Sequence, residues 1–369
     1  MVKKYWFVIM GAVIGIGAVW LSFKGNPANT GICASCFLEN VAGALRLHDN
    51  IRMQYLRPEI IGFVLGAFAL AMARGEFVSS GGSSPLLRFL VGALLIVGCS
   101  IFIGCPVKMV LRLAAGDLNA VVGFFGLIAG IYIGLAFVEN GFRLGEAQPL
   151  PRAAGLILPG FMFFLLILAI IKPGFIAGSE KGAGALHAPF YLSLAIGLLV
   201  GGFAQVTQFC ITGGIARVFL WGPREVMNCP RSTGLLISLV SFFIFALVAS
   251  LLTGQFNLGI HGQPSSNMSY GWSFLGMTLV GFGSILIRGC PLRQLVASGQ
   301  GDNDAGAAVM GMLVGAALVQ NWGIAGNSAG TPVAGQVAVL FGLVLLFIVA
   351  LVNRRRGYGI APEFQAGLD

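Results

Sequence analysis

Charge is what this chain has least of. Only 9% of its 369 residues are Asp, Glu, Lys or Arg, where a soluble domain carries roughly 25%. That is too little to cover a water-facing surface, which excludes a soluble globular enzyme, a nucleic-acid binder and a disordered chain. Histidine is scarce as well. His48, His187 and His261 are the only three, none at ligand spacing from a cysteine, which argues against a zinc site; all three read as loop or interface residues. No GxxxxGK[ST] sequence occurs, so the chain alone has no P-loop for ATP-driven transport. Its 55 glycines follow no three-residue period, which excludes collagen.

What remains is apolar. Hydrophobic residues make up 57% of the chain and the mean hydropathy is +0.90. A bilayer crossing needs about 20 apolar residues. Full-length apolar segments lie near 5–23, 59–79, 87–104, 118–138, 153–171, 186–205, 233–253, 271–288, 304–322 and 334–352. The expected fold is an all-α polytopic membrane protein with about ten transmembrane helices, and residues 1–369 form one membrane domain. The first segment, after Lys3 and Lys4, reads as a retained helix rather than a cleaved signal peptide. Four shorter apolar stretches, near 31–46, 105–115, 208–220 and 291–299, cannot cross. They are expected to be re-entrant half-helices, whose backbone is tolerated at membrane depth only under cover of protein or a watery cavity.

Orientation follows from Lys and Arg. Loops 254–270 and 323–333 hold no charged residue, whereas Arg217, Arg224 and Arg231, and then Arg354, Arg355 and Arg356, mark the opposite side. Both termini are expected in the cytoplasm. Arg46, Arg52 and Arg57 then fall outside, against the positive-inside rule.

The strongest signal is self-similarity. Gly104-Cys105-Pro106-Val107-Lys108 returns as Gly289-Cys290-Pro291-Leu292-Arg293, 185 residues on. Gly116-Asp117 meets Gly301-Asp302 at the same offset, and Thr30 to Cys33 meets Thr207 to Cys210 at an offset of 177. The reading is two repeats, 5–138 and 186–322, with a connecting helix at 153–171 and a last helix at 334–352. Five crossings between equivalent positions would invert the second copy, as in many transporters.

Proline is favoured at the first position of a helix. Pro106 and Pro291 are therefore expected to start short helices with Cys105 and Cys290 near the caps, and Gly104 and Gly289 to supply the sharp break. A helix N-terminus attracts anions, and Lys108 and Arg293 add charge in the first turn, where a cation disfavours the helix itself. An anionic ligand would resolve that conflict. Thiols, as weak donors with polarizable sulfur, suit a substrate with terminal sulfur or selenium.

Of the seven cysteines, Cys33, Cys105, Cys210 and Cys290 are the path candidates. Cys99 and Cys229 read as small buried hydrophobes. Cys36 has no counterpart, since Gly213 takes its place. Asp117 and Asp302 read as helix caps, with a proton or counter-ion site as the alternative.

Two halves, each with a Cys-bearing short helix followed by a Gly-Cys element, resemble the YeeE/YedE sulfur-transport family. Gly-Cys-Pro-Leu-Arg-Gln-Leu at 289–295, followed by Gly299-Gln300-Gly301-Asp302, is similar to the YedE-like branch associated with selenium transport. The resemblance implies a bacterial inner-membrane importer, not an enzyme, with no cofactor. It implies a relay of Cys33, Cys105 and Cys290 by S–H hydrogen bonds, and an anion-attracting outer concavity holding Arg46, Arg52 and Arg57. The Cys-Pro pairs depart from the thiosulfate-transporting branch. Expected partners are a small sulfur or selenium anion, the lipid bilayer and a cytoplasmic sulfur- or selenium-carrier protein, with no nucleic acid. A membrane thiol oxidoreductase using Cys33 and Cys36, and a general small-anion channel, are the competing readings.

Overall fold

The computed structural model describes residues 4–354, without the side chains of residues 221, 223–228, 230 and 231. Arg355 and Arg356, read above as orientation signals, lie outside the described residues, as do Lys3 and the side chains of Arg224 and Arg231.

The chain is mostly helical. In order the helices are α1 (Lys4–Phe23), α2 (Ala34–Ala44), α3 (Pro58–Ala73), α4 (Pro85–Phe102), α5 (Pro106–Ala114), α6 (Asn119–Glu139), α7 (Arg152–Gly155), α8 (Ile157–Ile171), α9 (Phe190–Thr207), α10 (Ile211–Asn228), α11 (Pro230–Leu252), α12 (Tyr270–Leu286), α13 (Pro291–Gly299), α14 (Asn303–Asn321) and α15 (Val333–Val352). Two-residue strands β1 (Ser80–Gly81) and β2 (Gln148–Pro149) pair antiparallel between loops.

Seven helical stretches among the described residues are long and apolar enough to cross a bilayer: Lys4–Phe23, Pro85–Ala114, Asn119–Glu139, Phe190–Leu220, Ser232–Leu252, Tyr270–Gly299 and Val333–Val352. With large apolar side chains such as Phe163, Ile171, Val240 and Phe341 on the outer surface, this is a multi-pass membrane protein.

Some boundaries differ from the hydropathy reading. α3 stops at Ala73 rather than near 79, because Gly75 takes a left-handed φ of +67° and turns the chain. The stretch near 208–220 runs on to Asn228, bent at Gly222 (φ 74°, ψ 159°). The apolar segment at 153–171 divides into α7 and α8 at Leu156.

Four helix pairs carry the packing: α1 with α11, α3 with α9, α4 with α14, and α6 with α12. Small residues let their backbones touch. A Cβ at Gly311 would lie 1.9 Å from the Phe89 carbonyl oxygen of α4, and one at Gly130 would lie 2.0 Å from that of Thr278 in α12.

Buried ion pairs fasten the two ends. At one end Arg112 Nε lies 2.6 Å from Asp117 Oδ2, and the Arg112 Nη2 group donates to Ser266 Oγ at 2.9 Å. At the other, Asp304 Oδ2 accepts from Ser83 Oγ at 2.5 Å and faces Arg88 Nε at 3.7 Å. Breaking such a pair by removing one partner costs about 3–5 kcal/mol.

Candidate functional site

α2, α5 and α13 each begin directly after a cysteine in extended conformation, and α10 begins directly after Cys210. At α5 and α13 the cause is local: Pro106 and Pro291 lack an N–H to lose and are pre-set for the first turn. The preceding residue is pushed to extended geometry, φ −80° and ψ 173° at Cys105 and φ −70° and ψ 169° at Cys290. At α2 the cysteine is itself the cap, with Cys33 Sγ accepting from the Cys36 N–H at 3.4 Å. The same bond recurs before α10, where Cys210 Sγ accepts from the Gly213 N–H at 3.3 Å.

These starts bring the thiols together in two groups. In the first, Cys33 Sγ lies 2.9 Å from Cys36 Sγ, 3.8 Å from Cys105 Sγ and 3.4 Å from Ser35 Oγ. Cys33 and Cys105 are fully buried. Cys99, on the last turn of α4, is also fully buried and interacts electrostatically with Cys33. In the second group, Cys210 and Cys290 are near enough to interact electrostatically, and Cys210 Sγ is 3.2 Å from Thr212 Oγ1. Every described cysteine is a free thiol.

The sharp break before each Cys-Pro pair falls one residue earlier than the glycine reading placed it. Left-handed φ occurs at Ile103 (+61°) and Arg288 (+64°), while Gly104 and Gly289 are not in that region. A β-branched residue such as Ile103 rarely adopts this geometry. The glycines serve a different purpose. A Cβ at Gly104 would meet Lys108 Cδ at 2.7 Å, and one at Gly289 would meet Arg293 Cγ at 2.7 Å. Each glycine makes room for the basic side chain four residues on to fold back over the helix start.

Lys108 is 2% exposed, and its Nζ lies 3.9 Å from Cys36 Sγ. No carboxylate among the described residues is within 4.0 Å of it. A buried cation with no carboxylate in direct contact is costly. Arg293 donates to the side-chain oxygens of Gln208 and Gln300, the latter at 3.4 Å.

The three outer arginines do not share one environment. Arg46 and Arg52 are exposed, with Arg46 Nε donating to the Phe175 carbonyl at 2.9 Å. Arg57 is fully buried and cannot attract an ion from solution as expected. Its guanidinium donates to Asn40 Oδ1 at 2.7 Å and to the carbonyls of Ala183 at 2.6 Å and Leu186 at 3.0 Å, and lies over the Phe37 ring at 4.4 Å. It is a strut between α2 and the loop before α9. Asp302 caps α14, accepting from the Ala305 N–H at 2.9 Å, and Asp117 both accepts from the Asn119 N–H at the start of α6 at 2.9 Å and pairs with Arg112. His48 is a buried loop residue whose Nε2 contacts the Glu39 carbonyl at 2.9 Å, and His187 stacks on Tyr55 with ring centroids 4.3 Å apart.

Sequence reasoning missed Arg88, Asp304, Glu39 and Glu59, all buried. Their signal was present: a charged residue within or beside an apolar segment is a functional or structural candidate by default.

The fold and the buried thiols together define a multi-pass helical membrane protein with cysteines gathered at the starts of short helices. No family model matches the chain, and no curated protein matches it.

Proposed function

We propose that this chain is a bacterial inner-membrane importer of a small sulfur- or selenium-containing anion, related to the YeeE/YedE sulfur-transport family. The anion passes along a central path lined by thiols and half-helix N-termini. One observation carries the reading: Lys108 is a buried cation without a carboxylate partner, set beside Cys33, Cys36 and Cys105 where two helix N-termini meet.

Two inverted repeats are the finer architecture we infer. In support, α5 and α13 have equal length and equal starts, Cys33–Ser35 and Cys210–Thr212 make the same contact, and the pair α4–α14 is the counterpart of α12–α6 under the 185-residue offset. Ten crossings follow when α3, α8 and α14 are counted with the seven longer stretches. The same proposal has α2 and α5 entering from the outer side, α10 and α13 from the inner side, and both termini in the cytoplasm.

Magnitudes limit the mechanism. A lone ion in hydrocarbon costs tens of kcal/mol, and a helix terminus returns at most about 2 kcal/mol. Lys108, the thiol donors and backbone N–H groups must act together, with the anion handed from the Cys33–Cys105 group to the Cys210–Cys290 group. Thiols favour terminal sulfur or selenium over hard oxygen. No bond to the substrate is made or broken, so the protein is a transporter rather than an enzyme and needs no cofactor. Its partners are the anion, the lipid bilayer and a cytoplasmic sulfur- or selenium-carrier protein.

The 2.9 Å approach of Cys33 and Cys36 favours one second reading, a membrane thiol oxidoreductase. A Cys36→Ser variant with full uptake would exclude it.

The test is uptake of labelled thiosulfate and selenite by cells lacking their own importers, with sulfate as control. Uptake of either without sulfate supports the proposal. Equal passage of sulfate makes the protein a general anion channel, and no uptake of any of the three overturns the proposal.

A further inference from the structure

Four acidic side chains are buried among the described residues: Glu39, Glu59, Asp117 and Asp304. Three are committed to holding the fold. Asp117 pairs with Arg112, and Asp304 with Arg88 and Ser83. Glu59 Oε1 accepts from Asn26 Nδ2 at 2.7 Å, in the same network that Arg57 joins through Asn26 Oδ1, while Glu59 Oε2 is buried with no hydrogen-bond partner.

Glu39 differs in its surroundings. It is 5% exposed and, like Glu59, has no Arg, Lys or His among the described residues within ion-pair distance, but it lies beside the thiol group and within the field of Lys108. Its carboxylate accepts from the Gln320 amide of α14, and Gln320 Oε1 in turn accepts from Asn50 Nδ2 at 2.7 Å. Asn50 is partly exposed, in the loop that carries Arg46 and Arg52. A ladder of polar groups thus runs from the loop surface down to Glu39. On α2, Glu39 follows Cys36 at a spacing of three, which makes the two neighbours on the helix surface.

The groups that face Glu39 are few. Cys33, the cap of its own helix, and Cys36 within it face Glu39; Lys108 of α5 and Cys99 of α4 interact with it electrostatically, and α14 contributes the uncharged Gln320. The His48 ring contacts its backbone carbonyl rather than its carboxylate.

We propose that Glu39 is the proton-binding site that couples anion import to an inward proton gradient. The inference rests on the transport reading above and adds its driving force. An anion entering a cell whose interior is negative moves uphill, and the chain has no nucleotide-binding motif to drive it. Ionised Glu39 competes with the substrate for the field of Lys108. One proton taken from the outer side converts the carboxylate to a neutral acid and leaves Lys108 to the anion. Proton and anion then favour each other's binding by the same factor. Both leave on the inner side, and Glu39 returns to its ionised form.

The experiment uses the full chain in proteoliposomes, with labelled thiosulfate and selenite as probes and a pH-sensitive dye inside. Two measurements are made: exchange of labelled for unlabelled anion without a gradient, and net uptake under an inward proton gradient. The wild type is expected to exchange, to take up anion at least about tenfold faster with the gradient, and to acidify the lumen as it does so. Glu39→Gln is expected to keep exchange and lose the gradient stimulation. A Glu39→Gln variant still stimulated by the gradient overturns the proposal. So does a wild type that exchanges anion without moving protons, and that result leaves the transport reading standing. A wild type that exchanges neither probe overturns the transport reading itself. If Glu39→Gln fails to exchange, the wild-type proton measurement decides, and Glu39→Asp must restore proton-driven uptake for the proposal to stand.

Discussion

The ammonium group of Lys108 sits 3.9 Å from the Cys36 sulfur, buried and with no carboxylate among the described residues within 4.0 Å. Its stem fits only because residue 104 has no side chain. A protein that holds a cation this way has left its charge for something that arrives.

Removing that charge is the most direct check. Lys108→Met keeps the stem and loses the ammonium. A hydrogen bond to a charged group contributes about 1.5–3 kcal/mol, so uptake of the active anion should fall roughly 10- to 100-fold while the variant still inserts and purifies as a stable protein. Unchanged uptake at subsaturating substrate would remove Lys108 from the path.

The thiol groups predict a specific oxidation product. Cys33 and Cys36 are already in contact through their sulfur atoms. A diazene oxidant should join them, taking one hydrogen from each thiol and being reduced in turn to the hydrazine. Peptide mass spectrometry should find the 33–36 link before any link to Cys99, and uptake should fall with the extent of linking. Cys36→Ser should keep uptake and become resistant to the oxidant.

Asp117→Asn tests the ion pair at the loop end. The substitution leaves the Arg112 guanidinium buried without its counter-charge, a loss of about 3–5 kcal/mol. The thermal midpoint in detergent should drop clearly. The double change Arg112→Met with Asp117→Leu should recover most of it, since apolar replacement of a buried pair is often neutral. Recovery by the double variant that fails to exceed Asp117→Asn would contradict this account.

The arginines near the outer loops should separate by role. Arg57→Ala removes a buried strut and should lower the yield of folded protein. Arg46→Gln combined with Arg52→Gln should leave folding intact, raise KM for the anion and flatten its dependence on salt, because exposed charges act over a Debye length of about 10 Å at 0.1 M. A salt response unchanged from wild type would show that these two residues do not steer the substrate.

Much of the architecture was legible in the sequence because its causes are local. A helix stands at each of the ten apolar segments, and Pro106 and Pro291 start α5 and α13 directly after Cys105 and Cys290. The partnerships were less legible. Asp117 takes both parts, bonding the Asn119 N–H at the start of α6 with one oxygen and Arg112 with the other; the second depends on Arg112 folding back across one helical turn, which the neighbourhood of Asp117 does not announce. Arg57 read as an exposed charge because its partners, the carbonyls of Ala183 and Leu186, lie more than 120 residues away. Glu39 went unnoticed because its significance depends on Gln320, on the far side of the chain.

The way the helices pair also bears on how the chain is made. α4 rests against α14, which emerges more than 200 residues later, and α6 rests against α12. At roughly 5–20 residues per second, α4 waits on the order of ten seconds or more before its partner exists. During that interval its glycine-lined face has only lipid or the insertion machinery to lie against. Neither stretch of sequence before or after the 140–188 connection owns a finished interior, so the two should mature only in each other's company, even when supplied as separate polypeptides.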